Sequence, residues 1–330
     1  MIARRKFVVV ALGASAAWIC RDVYGQRPAH VYRLGLLGTG SRTADGEPPR
    51  ALRDALQSLG YVEGRDIAYE ARFAEGKPER LPGIAAELVS LPVDVIVTQG
   101  GLATLAAKRT TSTIPIVMAP AAGDAVATEL IASLARPGGN VTGLTDEVVQ
   151  LSAKRMQLLK EAVPKATLIA VIWNANDDGM TVRYRGIDAA ARALQVEVEA
   201  ISVRGPADFA AAFSTMKGRR PDAIFLISDA LTNVNRKLLI EFAAAERIPA
   251  MYEYAFYVRD GGLMSYGPSP EEGFRQAAIY VDRIFKGAKP GDLPAEQPTR
   301  YYLNLNRATA TSLGLQFPQS LLMRADEVIQ

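Results

Sequence analysis

The chain has 330 residues, of which 49% are hydrophobic and 22% charged, a composition typical of a folded globular protein of about two domains. It contains one cysteine and one histidine, His30, which excludes an intramolecular disulfide, a cysteine-rich zinc site and histidine-based catalytic or metal sites. Residues 1–25 hold four of the 38 basic and one of the 35 acidic side chains, so the net charge of +3 belongs to them. The formally neutral remainder argues against a nucleic-acid-binding surface.

The first 25 residues have the pattern of an export signal. Three basic residues at positions 4–6 precede an apolar run, Phe7–Ile19, which is too short to span a bilayer, and Gly25 stands at a predicted cleavage site. The adjacent arginines suit twin-arginine export as well as the general secretory route. We therefore predict a signal peptide over residues 1–25, which would remove Cys20, and a periplasmic location.

Beyond this segment, strands and helices are predicted in alternation. In the first predicted helix, Leu52, Ala55, Leu56 and Leu59 form one apolar stripe, which Gly60 ends. Strands that alternate with such helices are typical of a parallel sheet covered on both faces. The predicted strands of the first half are Val31–Leu37, Ile67–Phe73, Val93–Val97, Ile114–Met118 and Val141–Leu144.

The second half repeats this organisation. A proline and an aspartate lie just before or within the apolar runs at 93–98 and 223–227, and each run is followed by a helix and then an Ile-Pro pair that opens a strand. We predict an α/β fold of two similar doubly wound parallel-sheet lobes, joined by a multi-strand hinge because the chain returns after both. The predicted strands of the second half are Leu168–Trp173, Val196–Val203, Ala223–Ile227, Ile248–Met251, Gly261–Gly267 and Tyr301–Leu305. The predicted lobes are residues 31–145 plus about 268–290, and residues 146–267 plus about 299–330.

Small and polar residues follow the predicted strands of both lobes. Ligands of doubly wound sheets bind at the carboxyl ends of the strands, and the helix N-termini beyond those ends favour carboxylates. Individually these residues also suit ordinary turns and helix caps. Because they recur in both lobes, we predict a ligand cleft, with Asp229 placed to receive a ligand ammonium. The candidate ligand-binding residues are Thr39, Ser41, Thr98, Gln99, Gly100, Gly123, Asp124, Asn176, Asp229, Tyr252 and Glu253.

No complete motif for a cofactor or a catalytic centre is present in the sequence. Gly38-Thr-Gly40-Ser-Arg-Thr43 lacks the third glycine of a dinucleotide-binding loop, and neither GxxxxGK[ST] nor GxSxG occurs. We predict no cofactor, no metal and no enzymatic activity. A secreted enzyme that uses carboxylates is the alternative.

Seven stretches, distributed from residue 59 to residue 328, carry a family resemblance. They are Leu59–Gly64, Phe73–Pro82, Val93–Thr98, Thr113–Val117, Ser133–Gly143, Gly261–Gly267 and Leu321–Val328. Together they resemble the ABC transporter substrate-binding protein family of the type I periplasmic-binding fold, in the group that includes tryptophan- and phenylalanine-binding members.

The resemblance implies a monomeric receptor that clamps a small polar ligand, such as an amino acid or a derivative, and delivers it to an ABC permease and, through it, to an ATPase. Such a receptor meets the membrane only through the permease. Carried over by position, Ser41, Thr98 and Gly100 would bind the ligand carboxylate, and Asn176 and Asp229 would bind the ammonium.

Three departures from the family leave the identity of the ligand open. The loop Asn174-Ala-Asn-Asp-Asp178 replaces the family's Asn-Pro-Ala-Asn-Pro, and Glu253 stands where many relatives have a small residue. The stretch after Asp229, often Pro-rich and aromatic in the family, is Ala230-Leu-Thr-Asn233. A ligand-binding sensor that acts with a membrane receptor is a further alternative. The effector domain of a transcriptional regulator shares this fold, but it would need a DNA-binding helix-turn-helix where the export signal stands.

Overall fold

The computed structural model describes residues 30–41, 48–119, 123–145 and 148–330, and Val31–Gln330 form one compact unit. The predicted signal peptide, with Cys20, lies outside the described residues. Within the described part, no helix is both long and apolar enough to cross a bilayer.

The strands and helices follow one another closely in the chain. The strands are β1 (Tyr32–Gly38), β2 (Ile67–Phe73), β3 (Val95–Gln99), β4 (Ile116–Met118), β5 (Val141–Gly143), β6 (Leu168–Asn174), β7 (Glu197–Val203), β8 (Ala223–Leu226), β9 (Ala250–Tyr252), β10 (Met264–Gly267), β11 (Tyr302–Asn306) and β12 (Glu327–Ile329). The helices are α1 (Arg50–Ser58), α2 (Leu81–Ser90), α3 (Gly101–Thr110), α4 (Val148–Ala162), α5 (Asp178–Ala193), α6 (Asp208–Arg219), α7 (Ala230–Val234), α8 (Arg236–Ala245), α9 (Ala255–Arg259), α10 (Pro270–Phe285), α11 (Arg307–Ser312) and α12 (Gln319–Arg324). Short 3-10 turns cover Pro78–Arg80 and Pro290–Asp292.

The first lobe is built on a parallel sheet with the order β2-β1-β3-β4-β5. Its inner strands are apolar on both faces because helices cover both sides. One face packs with α2 and α3 around Leu88 and Ile96, and the other packs with α1 and α10 around Leu56 and Val97. We call the sheet and these four helices the first lobe.

The second lobe is built on a sheet with the order β12-β11-β10-β9-β8-β6-β7. Alternate residues of β6 enter different cores, since Val171 and Trp173 pack with α4, α5 and α12, whereas Ile172 packs with α6 and α8. The sheet is parallel from β7 to β10, but β11 runs antiparallel to β10. The two terminal strands are therefore an addition to the doubly wound pattern that was predicted.

The predicted similarity between the halves is present in the sheets. The order β2-β1-β3-β4-β5 has its counterpart in β7-β6-β8-β9-β10, so the two sequence runs that echo each other form β3 and β8, each beside the first strand of its lobe. The order reverses beside β1 and beside β6, and these reversals are where ligands bind in such sheets.

Three crossings join the lobes, and they form the hinge. The chain passes from β5 to α4, from β10 to α10, and back to β11 through residues 296–301. The first and third crossings run side by side, because the Thr145 amide donates to the Glu296 carbonyl at 3.0 Å and the Glu296 amide donates to the Gly143 carbonyl at 2.9 Å. The residue boundaries predicted for the two lobes stay a prediction.

Candidate functional site

In the first lobe, the ends of β1 and β3 form a polar corner. Helix α3 begins directly after β3, and its N-cap Gly100, at a φ of 94°, brings no side chain to the first turn. Thr39 follows β1 and is only 5% exposed, yet its hydroxyl has no hydrogen-bond partner among the residues that the structure describes. A Cβ added at Gly100 would lie 3.1 Å from Thr39 Oγ1, so the hydroxyl and the amide end of α3 are adjacent.

A buried hydroxyl beside an uncapped helix N-terminus suits an anion. The first amides of a helix lack partners within the helix, and the helix dipole favours negative charge there. A carboxylate at this corner would accept hydrogen bonds from those amides and from Thr39.

Thr98 supports this corner from beneath. Its side chain is fully buried, and its Oγ1 lies 2.8 Å from Thr104 Oγ1, while the Thr104 hydroxyl also lies 3.1 Å from the Gly100 carbonyl oxygen that it bonds. The neighbouring Gln99 is partly buried, and Ser41 is exposed. Of these three predicted residues, Thr98 therefore braces the turn at Gly100 from inside the lobe.

A turn at Gly123 and Asp124 brings the first lobe to the second. Asp124 Oδ1 accepts from the amides of Val126 and Ala127 at 3.1 and 3.0 Å, so this carboxylate caps its own turn. A Cβ added at Gly179, in the first turn of α5, would lie 3.6 Å from Thr128 in that turn. The N-terminal end of α5 therefore faces the first lobe at contact distance.

In the second lobe, Asp229 occupies the end of β8. Its Oδ2 accepts a hydrogen bond of 2.6 Å from Asn174 Nδ2 at the end of β6, and its Oδ1 accepts from the Thr232 amide at 2.9 Å. The Thr232 hydroxyl in turn accepts from the Asp229 amide, which completes a capping box on α7. Asp229 is therefore a buried carboxylate held at the reversal of the strand order.

Asp177 is a second buried carboxylate at the same place. It caps α5 by accepting from the amides of Gly179 and Met180 and is 9% exposed. Burial first, and then the charge of Asp229, raise the pKa of Asp177 from 3.8 to about 6. A buried acidic side chain whose charge is disfavoured by a second carboxylate suits a cationic ligand group.

Glu253, after β9, bridges two buried arginines. Its Oε1 lies 2.9 Å from Arg155 Nη2, its Oε2 accepts from Arg183 Nη2 at 2.6 Å, and each of the three side chains is at most 4% exposed. Burial alone would raise the pKa of Glu253, but the two guanidinium groups outweigh burial and hold that pKa below its usual range. We call Arg155, Glu253 and Arg183 the buried triad.

Two predicted residues point elsewhere. The side-chain Nδ2 of Asn176 donates to the Arg204 carbonyl at 2.9 Å, in the loop after the edge strand β7. The Tyr252 ring stacks on Tyr257 with ring centroids 4.7 Å apart, inside the core that packs with α6 and α8. The structure thus brings together Thr39 and Gly100 in one lobe and Asp229 and Glu253 in the other.

Four residues of this region were not among the predicted ones, namely Asn174, Asp177, Arg183 and Arg155. Asn174 and Asp177 stand in the same strand-end loop as Asn176. Asp177 also has the position of a helix cap, and this position could have indicated the residue from the sequence. The arginines lie within helices that carry no such signal. Within the described residues, no group of three or more His, Cys, Asp or Glu side chains is placed to hold a metal ion.

A separate cavity of about 580 Å³ lies beside the hinge. Residues of all three crossings line it, including Leu144, Pro268 and Thr299, together with Arg275 and Gln276 of α10. None of the predicted ligand-binding residues lines this cavity.

Comparison with known proteins agrees with the two-lobed architecture. The sequence profile of the ABC transporter substrate binding protein family matches residues 47–329. The chain belongs to this family. Over 264 residues it is 27% identical to a tyrosine-binding protein of Clostridioides difficile strain R20291, a match that covers 79% of this chain and 75% of that protein.

Two solved structures of binding proteins have a similar fold. One is an ABC domain from Streptococcus pneumoniae in complex with L-Trp, with a TM-score of 0.84, 23% identity, and coverage of 91% of this chain and 100% of that one. The other is the ligand-free, open structure of a substrate-binding protein with adhesive properties from Clostridium difficile, with a TM-score of 0.64, 22% identity and the same coverage. Both carry the fold of type I periplasmic binding proteins.

Proposed function

We propose that this member of the family is an extracytoplasmic receptor that clamps an amino acid, or a close derivative, between its two lobes and hands it to an ABC permease. The observation that carries the proposal is chemical complementarity across the cleft. The first lobe offers the Thr39 hydroxyl and the amides of α3 to a carboxylate, and the second lobe offers Asp177 and Asp229 to an ammonium.

The carboxylate end of the ligand is argued from the Thr39 hydroxyl. A buried hydroxyl without a partner costs free energy, about 1–3 kcal/mol, which a ligand oxygen would recover. Because Gly100 brings no side chain to the start of α3, the ligand has backbone amides within reach.

The ammonium end is argued from Asp177 and Asp229. Both carboxylates already accept hydrogen bonds that fix their orientation, and a carboxylate has further lone pairs to offer. An ammonium between them would relieve their mutual repulsion. The tyrosine-binding relative and the L-Trp complex support an amino acid as the class of ligand.

Closure follows from the same geometry. The ligand bridges groups on both lobes, so it stabilises the arrangement in which α5 contacts the first lobe near Thr128. It can drive closure only by its difference in affinity for the open and closed forms. No bond is made or broken. The permease then recognises the closed form and, on spreading the lobes, releases the ligand.

Export through the N-terminal signal and the partnership with a permease and its ATPase are parts of this proposal. Family membership supports the partnership. The arginine pair near the N-terminus supports export by the twin-arginine or the secretory route.

The test is a thermal-shift screen of the full chain against amino acids, organic acids, sugars and purines, followed by calorimetry. A ligand at about 100 times its dissociation constant stabilises the protein by about 2.7 kcal/mol. Thr39→Val replaces the hydroxyl by a methyl group and should lower affinity at least tenfold, because a hydrogen bond to a charged group contributes about 1.5–3 kcal/mol. Thr215→Val, at an exposed position of α6, is the matched control. Failure of every amino acid to bind would refute the proposed ligand class.

A further inference from the structure

We infer that the contact between Gly76, in the turn after β2, and Val234, the last residue of α7, is a latch of the closed cleft that must open before a ligand can enter or leave. The inference rests on the proposed function, because it concerns how the cleft retains its amino acid. A Cβ added at Gly76 would lie 3.5 Å from Val234 Cγ2 and 3.8 Å from Val234 Cβ, which is ordinary van der Waals contact. We call this contact the latch.

The first-lobe side of the latch is fixed to the corner that carries Thr39. The Ala74 amide donates to the Gly38 carbonyl and the Gly76 amide donates to the Thr39 carbonyl, both at 2.9 Å. The Lys77 amide donates to the Ala74 carbonyl at 3.0 Å and closes a tight turn, whose two central residues have φ values of 56° and 70°. The second of these is Gly76, which has no side chain to keep Val234 away from its backbone. The turn and Thr39 therefore move together.

The second-lobe side of the latch is fixed to Asp229. Helix α7 is capped by Asp229 and ends at Val234. The Tyr257 hydroxyl donates to Asn233 Oδ1 at 2.8 Å, which holds the last turn of α7 on the second lobe. The latch is thus joined on one side to the residue that would bind the ligand carboxylate and on the other side to a residue that would bind the ammonium.

The latch forms only when the lobes are together. Gly179 of α5 and Thr128 make another contact between the lobes, and neither contact belongs to the three crossings. Rotation of the lobes about the crossings would separate both contacts, so the described arrangement is the closed one. A ligand that joins Thr39 to Asp229 draws together the two elements that carry the latch, so ligand binding and latch formation favour each other.

The chemistry of the latch suits repeated opening. It sets an apolar side chain against a backbone turn, and Val234 remains 44% exposed. The contact therefore buries only part of one side chain and breaks no hydrogen bond when it separates. It favours the closed form without locking it, so that a ligand can still exchange.

A disulfide across the latch tests the inference directly. The 3.8 Å between a Cβ at position 76 and Val234 Cβ lies within the range of about 3.5–4.5 Å that a disulfide requires. The full chain carries Gly76→Cys and Val234→Cys, with Cys20→Ser so that no third thiol competes. Diamide oxidises the two thiols by taking up the two protons and two electrons that they lose, and mass spectrometry confirms the crosslink.

The probe is an equimolar mixture of the standard amino acids other than cysteine. Its presence should make the crosslink form about tenfold faster, because a ligand shifts the population towards the closed form. Protein that is oxidised in the mixture should retain an amino acid through exhaustive dialysis and release it on reduction with dithiothreitol. The same protein kept reduced should lose the amino acid, and Gly76→Cys and Val234→Cys alone are the controls for the introduced thiols.

Val234→Ala tests the contact without a crosslink. For the amino acid of the mixture that binds most tightly, dissociation should become about threefold faster while association stays the same, because the latch exists only after closure. Val62→Ala is the matched control, since Val62 is 36% exposed and lies before β2, at the end of the sheet away from the cleft. Stopped-flow measurements give both rates, and the unfolding midpoints confirm that both variants are folded.

Four results would overturn the latch and leave the proposed function standing. They are failure of the two thiols to pair, a crosslink that forms equally fast without amino acids, an oxidised protein that loses its amino acid as fast as the reduced one, and an unchanged dissociation rate in Val234→Ala. Binding of no amino acid to the unmodified chain would instead refute the proposed function, whatever the crosslink shows.

Discussion

Asn174 and Asp229 are joined by a hydrogen bond of 2.6 Å, from Nδ2 to Oδ2, which ties the ends of β6 and β8 together. Asp229 also caps α7, so replacing it by alanine would remove a cap and a charge at once. Asp229→Asn keeps the cap, because asparagine is an equally good N-cap, and removes the charge together with the acceptor of the Asn174 bond, so the unfolding midpoint is measured beside the affinity. We expect the affinity for the amino acid ligand to fall at least tenfold, measured by calorimetry, since a hydrogen bond to a charged group contributes about 1.5–3 kcal/mol.

The matched control for this change is Asp208→Asn. Asp208 accepts hydrogen bonds from the amides of Arg204 and Gly205 at the start of α6 and is not part of the cleft. The Asp208→Asn substitution should leave the affinity for the amino acid ligand unchanged. If Asp229→Asn binds the ligand as the unmodified chain does, Asp229 does not receive the ammonium.

Asp177 should make the stability of the ligand-free protein depend on pH. Its pKa is raised from 3.8 to about 6, by burial and then by Asp229. A carboxyl group whose pKa is higher in the folded chain stabilises the fold fully below the unfolded value and loses that contribution as pH rises through the folded value. Between pH 3.8 and about pH 6, the chain should therefore lose up to about 3 kcal/mol of unfolding free energy relative to Asp177→Asn.

Urea denaturation of the two proteins across that range measures this difference. Asp178→Asn, which replaces the exposed neighbour on the same helix, should leave the pH profile as it is. Binding of an ammonium favours the charged form of Asp177, so ligand affinity should increase as the pH rises through about 6. Equal profiles for the unmodified chain and Asp177→Asn would contradict the assignment.

The sequence predicted the fold better than it predicted the site. The two runs that echo each other became β3 and β8 at equivalent places, because strand and helix periodicity is a local property. The site depends on direction as well as on position. Tyr252 and Glu253 are adjacent, but adjacent residues at a strand end point to opposite faces, so only Glu253 reaches the arginines.

The partners of Glu253 could not be inferred from the sequence. Arg183 is 70 residues away in the chain, and both arginines occur in helices where an arginine normally faces solvent. Their burial is a consequence of how α4 packs on β9 and β10 and how α5 packs on α4 and β6, which no local pattern encodes. The strand β11 was predicted at Tyr301–Leu305, but its antiparallel direction was not, since the direction of a strand leaves no trace in its composition.

Removing the central charge of the buried triad should destabilise the fold strongly. Glu253→Gln keeps the shape of the side chain but leaves Arg155 and Arg183 facing each other without a counter-charge. Breaking a buried ion pair costs about 3–5 kcal/mol, so we expect a loss of that size in urea denaturation.

An exposed ion pair provides the comparison. Asp188→Asn removes the partner of Arg192 on the surface of α5, and exposed pairs contribute less than about 1 kcal/mol. If Glu253→Gln costs no more than Asp188→Asn, the buried triad does not hold its neighbours in place.

Gly267, at the end of β10 where the chain crosses to α10, has no room for a side chain. A Cβ there would lie 2.2 Å from the Glu253 carbonyl oxygen and 3.3 Å from Arg155 Nη2. Gly143 has the equivalent position at the end of β5, where a Cβ would lie 2.4 Å from the Met118 carbonyl oxygen. Gly267→Ala must therefore push apart the hinge crossing and the buried triad, and overpacking of this kind costs about 1–3 kcal/mol.

Gly218→Ala, in the last turn of α6 with no atom within 4 Å of its Cβ, should instead raise the unfolding free energy by up to about 1 kcal/mol. Urea denaturation should therefore show a lower unfolding free energy for Gly267→Ala and a higher one for Gly218→Ala. A higher unfolding free energy for Gly267→Ala would mean that a side chain fits at the end of β10, against the described geometry.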